Sequence, residues 1–385
     1  MKFFTFLLLF ISLTSYSQYK TITILDSLSK KPIDLVHITY SNSSTGNISN
    51  SDGKVKVNLQ KDSIFISHIN YKNSSYTAKK ILNRDTLYIQ SKLNTLDEIV
   101  MYNYDLKEKL KEILENYKKY YYTGQLTNTV TYKENFEVND TLVRLFQAQY
   151  KWWTKHNFLD FKNDIKKQNK LSLEKVDFSK IASIENDERN GGFMQSIPLI
   201  KFSNLNFNLV LLVNGTKDVF INSINKNKQT TDINFDADYF EGDNNLFNYK
   251  NCVISFDNKS KGIKYVLLNM VYKNNRKKGL SRKAKIPYTS ETKHHKIEMF
   301  FKKFKKKHSL SYFTSELDGD FTINNIRNKY FGTQKFLITN TEKGKKNKKL
   351  QGINLDLPLY DYIPLNKDKE IEILLTTKEE NFIKK

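Results

Sequence analysis

Between Tyr19 and Tyr102 the chain alternates apolar and polar positions in short runs, each bounded by turn-forming residues. Thr21–Leu25 is β-branched and apolar, and Leu35–Tyr40 is a second run of the same kind. Ser51-Asp52-Gly53 leads into Lys54-Val55-Lys56-Val57-Asn58-Leu59, which sets Val55, Val57 and Leu59 on one face. A period of two is the mark of a strand with one buried face, and Asp-Gly beside such alternation predicts a hairpin. Ile64–Ile69, Thr86–Gln90 and Glu98–Tyr102 complete the set. With no convincing helix among them, the pattern predicts a small antiparallel β-sandwich.

The period then changes. Leu106, Leu110, Ile113, Leu114 and Tyr117 make one stripe at helical spacing, with lysines opposite and Asp105 near the start. This predicts a linking helix over Tyr104–Tyr122, stopped by Gly124, its apolar stripe facing the domain that follows. Beyond Gly124 the alternation returns. Thr127–Glu137 and Leu142–Trp153 flank the turn Val138-Asn139-Asp140, and Leu142, Phe146, Ala148, Tyr150 and Trp152 share a face. Asp160 to Asn190 is charged and irregular, a loop or a helical insertion; Phe207–Val213 fits either a strand or a short helix. Val219–Ile224, Lys250–Phe256 and Ile263–Tyr272 read as strands, followed by Lys296–Lys302, Ser309–Glu316, Asp320–Arg327, Lys335–Thr341 and a last strand at Ile371–Thr376. Repeated hairpins with one apolar face predict a large curved antiparallel sheet, half-open like a barrel left unclosed, by analogy with periplasmic lipoprotein carriers. The expected organisation is mainly β: a sandwich over 18–102, a linking helix over 103–123 and a β-rich domain over 124–385.

Several segments of the first domain carry a family likeness. Ile24-Leu25-Asp26-Ser27, Lys31-Pro32-Ile33-Asp34-Leu35-Val36-His37-Ile38, Thr45 to Val55, and Asp62 to Tyr71 follow one another in order. Asp85-Thr86-Leu87-Tyr88-Ile89 and Leu96-Asp97-Glu98-Ile99-Val100 come after them. Together they resemble the carboxypeptidase-like regulatory domain of secreted and outer-membrane proteins of Bacteroidetes. The resemblance implies a transthyretin-like β-sandwich without catalytic residues of its own, and names no ligand.

The N-terminus adds a destination. Lys2, the apolar run Phe3–Leu13 and the small-x-small sequence Ser15-Tyr16-Ser17 have the form of a cleaved signal peptide, residues 1–17, with the mature chain starting at Gln18. A bilayer span needs about 20 apolar residues, so the run is read as a leader and the protein as exported, to the periplasm or the outer membrane and cell surface. One cysteine, Cys252, lies in an apolar strand and reads as a small buried hydrophobe.

Charge changes the picture most. The net charge is +22, and from Lys273 to Lys307 fourteen bases stand against only Glu291 and Glu298, so +12 of it lies there. A cluster of this kind draws anions. Lys277, Lys278, Arg282, Lys283, Lys303 and Lys306 are the expected contacts, with Phe300, Phe301 and Phe304 as apolar neighbours. In an exported protein the available anions are phosphate-rich glycolipid, anionic lipid head groups or extracellular DNA, and nuclear or ribosomal nucleic acid is excluded. The expected partners are an envelope component or outer-membrane protein.

Catalytic patterns fail on spacing. His295-Lys296-Ile297-Glu298 spells H-x-x-E, but the only later histidine is His308, too near to complete a three-ligand zinc site with an open position. Asp232, Asn234, Asp236, Asp238 and Asp243 approach a calcium loop, yet Ala237 and Asp243 stand where glycine and glutamate belong; an acidic hairpin loop is the simpler reading. No G-x-S-x-G elbow and no glycine-rich phosphate loop occurs. The sequence therefore points to a non-catalytic envelope protein without cofactor or metal that binds or scaffolds. The alternatives are a carrier of lipid or another apolar ligand in the curved sheet, or a hydrolase whose site is assembled from scattered residues.

Overall fold

The computed structural model describes residues 19–41, 46–68, 70–92, 104–182, 196–273, 275–280, 285–344, 351–364 and 373–384. The expected signal peptide and the expected strand Glu98–Tyr102 lie outside them. The chain divides into two units, one comprising Met1–Asn94 with Glu372–Thr377, the other Thr95–Ile371 with Lys378–Lys385.

The first unit is a sandwich of two sheets. Strands β1 (Tyr19–Asp26), β4 (Lys54–Asn58) and β7 (Thr86–Ile89) form one sheet in the order β4-β1-β7. Strands β2 (His37–Tyr40), β3 (Gly46–Ile48), β5 (Ser63–His68) and β6 (Tyr71–Thr77) form the other, in the order β3-β2-β5-β6. Val55 and Val57 bury against Ile22, Ile24, Ile38 and Ile66, the inner faces that alternation had marked. Two expectations are corrected. The first sheet is mixed, because β7 runs parallel to β1. The Asp-Gly turn does not close a hairpin: β3 pairs with β2 and β4 with β1, so Ser51–Gly53 carries the chain from one sheet to the other. Gly53 is required there. Its φ is +73°, and a Cβ would sit 2.5 Å from the Ile24 carbonyl oxygen. A short helix α1 (Ala78–Leu82) that the pattern did not announce buries Ile81 in this core. His37 is buried in β2, and His68 ends β5 with its ring edge-on to Tyr71.

The second unit is built on an eleven-stranded curved antiparallel sheet that does not close into a barrel. Its strands are β8 (Leu126–Val138), β9 (Thr141–Thr154), β10 (Asn169–Ile181), β11 (Thr216–Lys226), β12 (Thr230–Glu241) and β13 (Asn244–Asp257). They continue with β14 (Ile263–Tyr272), β15 (Arg276–Leu280), β16 (Pro287–Phe304), β17 (Lys307–Ile323) and β18 (Ile326–Lys343). The spatial order is β10-β9-β8-β18-β17-β16-β14-β13-β12-β11, with β15 added on β16. One face of this sheet, carrying Tyr132, Phe146, Phe235, Ile254, Leu268, Met299, Phe313 and Phe336, is continuous with the helices in a single core.

Those helices are α2 (Leu106–Glu115), α3 (Tyr117–Tyr120), α4 (Ile165–Gln168), α5 (Ser196–Phe202) and α6 (Leu205–Gly215); a further helix, α7 (Thr377–Lys384), is held to β8 by the Lys133–Glu379 ion pair. Helix α2 is capped by Asp105, whose side chain accepts from Glu108 N at 2.8 Å, and it buries Leu106, Leu110 and Ile113 as the stripe required. It packs on α6, so the segment 207–213 is helical. The linking helix is shorter than expected: Asn116 ends α2 by bonding back to Glu112 O, and α3 is a separate turn. The described part of Asp160–Asn190, residues 160–182, is neither loop nor insertion alone, because it supplies α4 and the edge strand β10; the rest lies outside the described residues. The acidic series Asp232–Asp238 is strand β12, not a hairpin loop. The described part of Ile371–Thr376 is not a strand, and α7 follows it.

Strand β17 runs unbroken through Gly319, where the sequence had read two strands. Gly319 is a close approach rather than a turn: a Cβ would meet the Glu291 carbonyl oxygen of β16 at 2.0 Å. We expect Gly319→Ala to destabilise the second unit by roughly 2 kcal/mol through forced strand separation; a urea midpoint unchanged from wild type would show that the strands yield freely.

Candidate functional site

The six bases singled out in the sequence do not meet. Lys277 and Lys278 sit on β15 opposite Ser290 and Thr289, near the start of β16. Lys303 and Lys306 sit at the far end of β16 and in the turn that follows. Some thirteen strand residues separate the two sites, roughly 40 Å at about 3.3 Å per residue. Arg282 and Lys283 lie outside the described residues. Of the aromatic neighbours, Phe301 belongs to the core, Phe300 is buried and Phe304 meets Tyr122 edge-on at 5.1 Å.

The two ends differ electrostatically. At the start of β16 Lys293 reaches Asp320 at 2.7 Å, Arg327 bonds the same carboxylate, His294 meets Asp318 at 2.8 Å, and Arg276 lies across from Glu291. Against the opposing effect of burial, Lys293 and Arg327 hold Asp320 below its ordinary carboxyl range. At the other end Lys303, Lys305 and Lys306 are exposed and make no ion pair among the described residues.

A cleft opens beside that second end. It has a volume of about 650 Å³ and lies between the α2–α3 break, α6 and the loop joining β9 to α4. Leu114, Tyr117, Phe158, Leu159, Phe161 and Val210 give it apolar walls, while Lys118, Lys119 and Lys162 stand on its rim with Glu115 and Asp160. The walls are held in place. Asn206 clamps Leu159 by two bonds, accepting from its N at 2.9 Å and donating to its O at 2.8 Å. Asn157 donates to Tyr122 O at 2.9 Å. Tyr117 stacks on Tyr121 at 4.4 Å, and Tyr122 N donates to His308 O at 2.9 Å, tying α3 to the start of β17. Phe161 remains 56 % exposed at the lip. A volume of this size with apolar walls and a few polar groups fits an organic ligand. Sequence reasoning missed it because its parts come from segments 114–123, 158–162 and 206–210.

The sheet also carries a buried polar belt. Arg144 Nε donates to Glu134 at 2.7 Å, Tyr132 OH donates to the other carboxylate oxygen at 2.5 Å, and Gln334 Nε2 donates to it at 3.1 Å. The Arg144 guanidinium lies 4.0 Å from the Tyr360 ring centre. Next along the strands, His295 Nε2 is 2.9 Å from Ser315 Oγ, and the edge of Phe202 from α5 covers the ring. Arg144, Glu134, Gln334, Ser315 and His295 are all at most 2 % exposed. Burial pushes the His295 imidazole down to about 3, so it is neutral. His295 and Glu298 occupy opposite faces of β16, and Glu298 instead accepts from Tyr265 OH at 2.6 Å, so H-x-x-E is not one ligand set here.

The remaining chemistry-bearing groups are spoken for locally. Ser260 lies between Asp257, 2.8 Å from its Oγ, and His308, 2.7 Å from it; in a nucleophile triad the imidazole, not the serine, takes the middle place. Asp232 accepts from Ser255, and Asp236 from Asn222, Lys250 and Asn251 N. Spaced along a strand at about 7 Å per pair, they do not converge. Cys252 is fully buried, and burial raises its thiol to about 12.

Removing one partner of the buried pair leaves the other charge unmatched. We expect Arg144→Met to destabilise the second unit by about 3–5 kcal/mol in urea unfolding, and a loss below about 1 kcal/mol would mean the belt is solvated. His295 sets a pH limit. Its folded value lies below the unfolded one near 6.5, so the associated stability is complete above pH 6.5 and falls as pH drops toward 3, at about 1.4 kcal/mol per unit. Between pH 6.5 and 4.5 the wild type is expected to lose about 2 kcal/mol more than His295→Gln; parallel curves would refute the assignment.

No protein-family model matches the sequence, and no curated protein matches it. A solved structure of a LolA superfamily protein from Nitrosomonas europaea is similar over 66 % of this chain and 99 % of its own, at 8 % identity and a TM-score of 0.22, a likeness too slight to assign function.

Proposed function

We propose that this is an exported cell-envelope protein that works by binding rather than catalysis. Its larger unit takes an amphiphile, with an apolar body and an anionic head, into the cleft beside α3 and α6. The observation that carries this reading is the cleft itself: aromatic and aliphatic walls fixed by the Asn206–Leu159 clamp, and three exposed lysines on the rim. An apolar body gains by leaving water for such walls, and a carboxylate or phosphate head gains from Lys118, Lys119 and Lys162. The hollow of the curved sheet is a less suitable place, because α2, α5 and α6 fill its apolar face among the described residues. The first unit, on the resemblance of its segments, serves as a carboxypeptidase-like regulatory domain that positions the larger one at the envelope.

The test uses the whole mature chain and a fluorescent long-chain fatty acid. Saturable one-to-one binding is expected, weakened roughly tenfold by Val210→Trp, which fills the cleft, and also when an uncharged long-chain alcohol replaces the acid. Binding unaffected by Val210→Trp would overturn the assignment to this cleft.

A further inference from the structure

Antiparallel order sends successive turns to opposite ends of the sheet. The turns β11–β12, β13–β14 and β16–β17, the start of β8, the end of β18 and the β9–α4 loop all fall at one end. All but the start of β8 bring exposed lysines, each from a different part of the sequence: Lys228, Lys261, Lys305, Lys306, Lys343 and Lys162. Fewer carboxylates share these segments: Asp160, Asp164, Asp257 and Glu342 stand against the six lysines. Like charges crowd instead: Lys343 beside Lys305 helps hold the latter below its ordinary value, after desolvation.

The β16–β17 turn supplies a second, independent observation. Lys305 and Lys306 have φ of 47° and 67°. Two consecutive left-handed residues in a two-residue hairpin are the geometry that favours asparagine and glycine. The same sheet follows that preference elsewhere, with Asn139-Asp140 at φ 49° and 63° and Asn324-Asn325 at 50° and 61°. Two lysines are a poor choice for the turn, and backbone strain kept at an exposed tip points to a use for the side chains. Lys307 from this turn donates to Lys118 O, so the tip adjoins the rim of the cleft.

We propose that this end of the sheet docks on an anionic lipid bilayer, setting the mouth of the cleft and the exposed ring of Phe161 at the lipid surface. Clustered lysines are attracted to such a surface at short range, within about one screening length. The proposal extends the amphiphile reading by naming where the ligand is met, but docking needs the lysines and not the cleft, so the two fail separately.

The decisive variant is Lys305→Asn with Lys306→Gly. It removes two charges while giving the turn residues it prefers, so the variant is expected to fold at least as well as wild type, as its thermal midpoint would show. In sedimentation with vesicles of phosphatidylcholine containing phosphatidylglycerol, it is expected to bind roughly thirtyfold more weakly, at about fivefold per lysine. Lys277→Asn with Lys278→Asn, at the opposite end, should bind as wild type, and Val210→Trp should still dock although it takes up fatty acid roughly tenfold more weakly. Equal loss in both lysine pairs would reduce the effect to net charge and overturn the proposal. So would equal binding to vesicles of phosphatidylcholine alone, or displacement from vesicles by duplex DNA at lower concentration than by added anionic vesicles.

Discussion

An antiparallel sheet that stays open has an apolar face it must cover, and the second unit is organised by that need. Every long strand from β8 to β18 contributes to the same buried side. In a closed barrel those side chains would meet one another across the interior. Here helices must meet them instead, which is why α6 is apolar nearly all round: Leu205, Leu209 and Leu212 face the core, while Val210 and Val213 are only half covered. The C-terminal segment adds to the cover with Leu355, Leu359, Tyr360 and Ile363. The cleft is what remains where that cover is incomplete. Asn116 turns the chain out of α2 before α6 ends, and the β9–α4 loop approaches from the other side without closing the gap.

The strands were legible because burial on one side forces a period of two, and that signal survives without knowledge of partners. Phe146, Ala148, Tyr150 and Trp152 fall on the core face as their alternation required. Partners are a different matter. Asp52-Gly53 has the turn chemistry of a hairpin, yet the strands it joins belong to different sheets, because turn geometry is local and pairing is not. Gly319 misled in the reverse direction: glycine in an alternating run looks like a break, whereas here it admits the Glu291 carbonyl. Asn116 ends α2 without glycine or proline, bonding Glu112 O through both its backbone and side-chain amides, a capping use that composition does not advertise.

The charge was legible in amount but not in arrangement. A run of bases over Lys273–Lys307 looks like one patch, but strand β16 carries its two halves to opposite ends of the sheet. In one half Lys293 pairs with Asp320 and Lys296 with Glu316, while Lys277 and Lys278 stay exposed on β15; the other gains company from Lys162, Lys228, Lys261 and Lys343, brought from separate parts of the sequence. Topology therefore regroups the bases, and the regrouped set adjoins the cleft while the linear one does not.

Burial separates the polar groups that hold the fold from those that can act on a ligand. The Arg144–Glu134 pair and neutral His295 are sealed at the centre of the sheet, where an ion pair contributes less to net stability than to fixing which strands face one another. His308 and Ser260 are engaged with each other and with Asp257. Beside the β16–β17 turn the exposed groups are of another kind: ammonium groups, with the aromatic and aliphatic walls and the two carboxylates of the cleft. On the reading proposed above, the ammonium groups meet an anionic head and the walls an apolar body. On that same reading, affinity for a charged partner must weaken as salt rises, since exposed lysines act through water and are screened over about 8–10 Å at ordinary ionic strength.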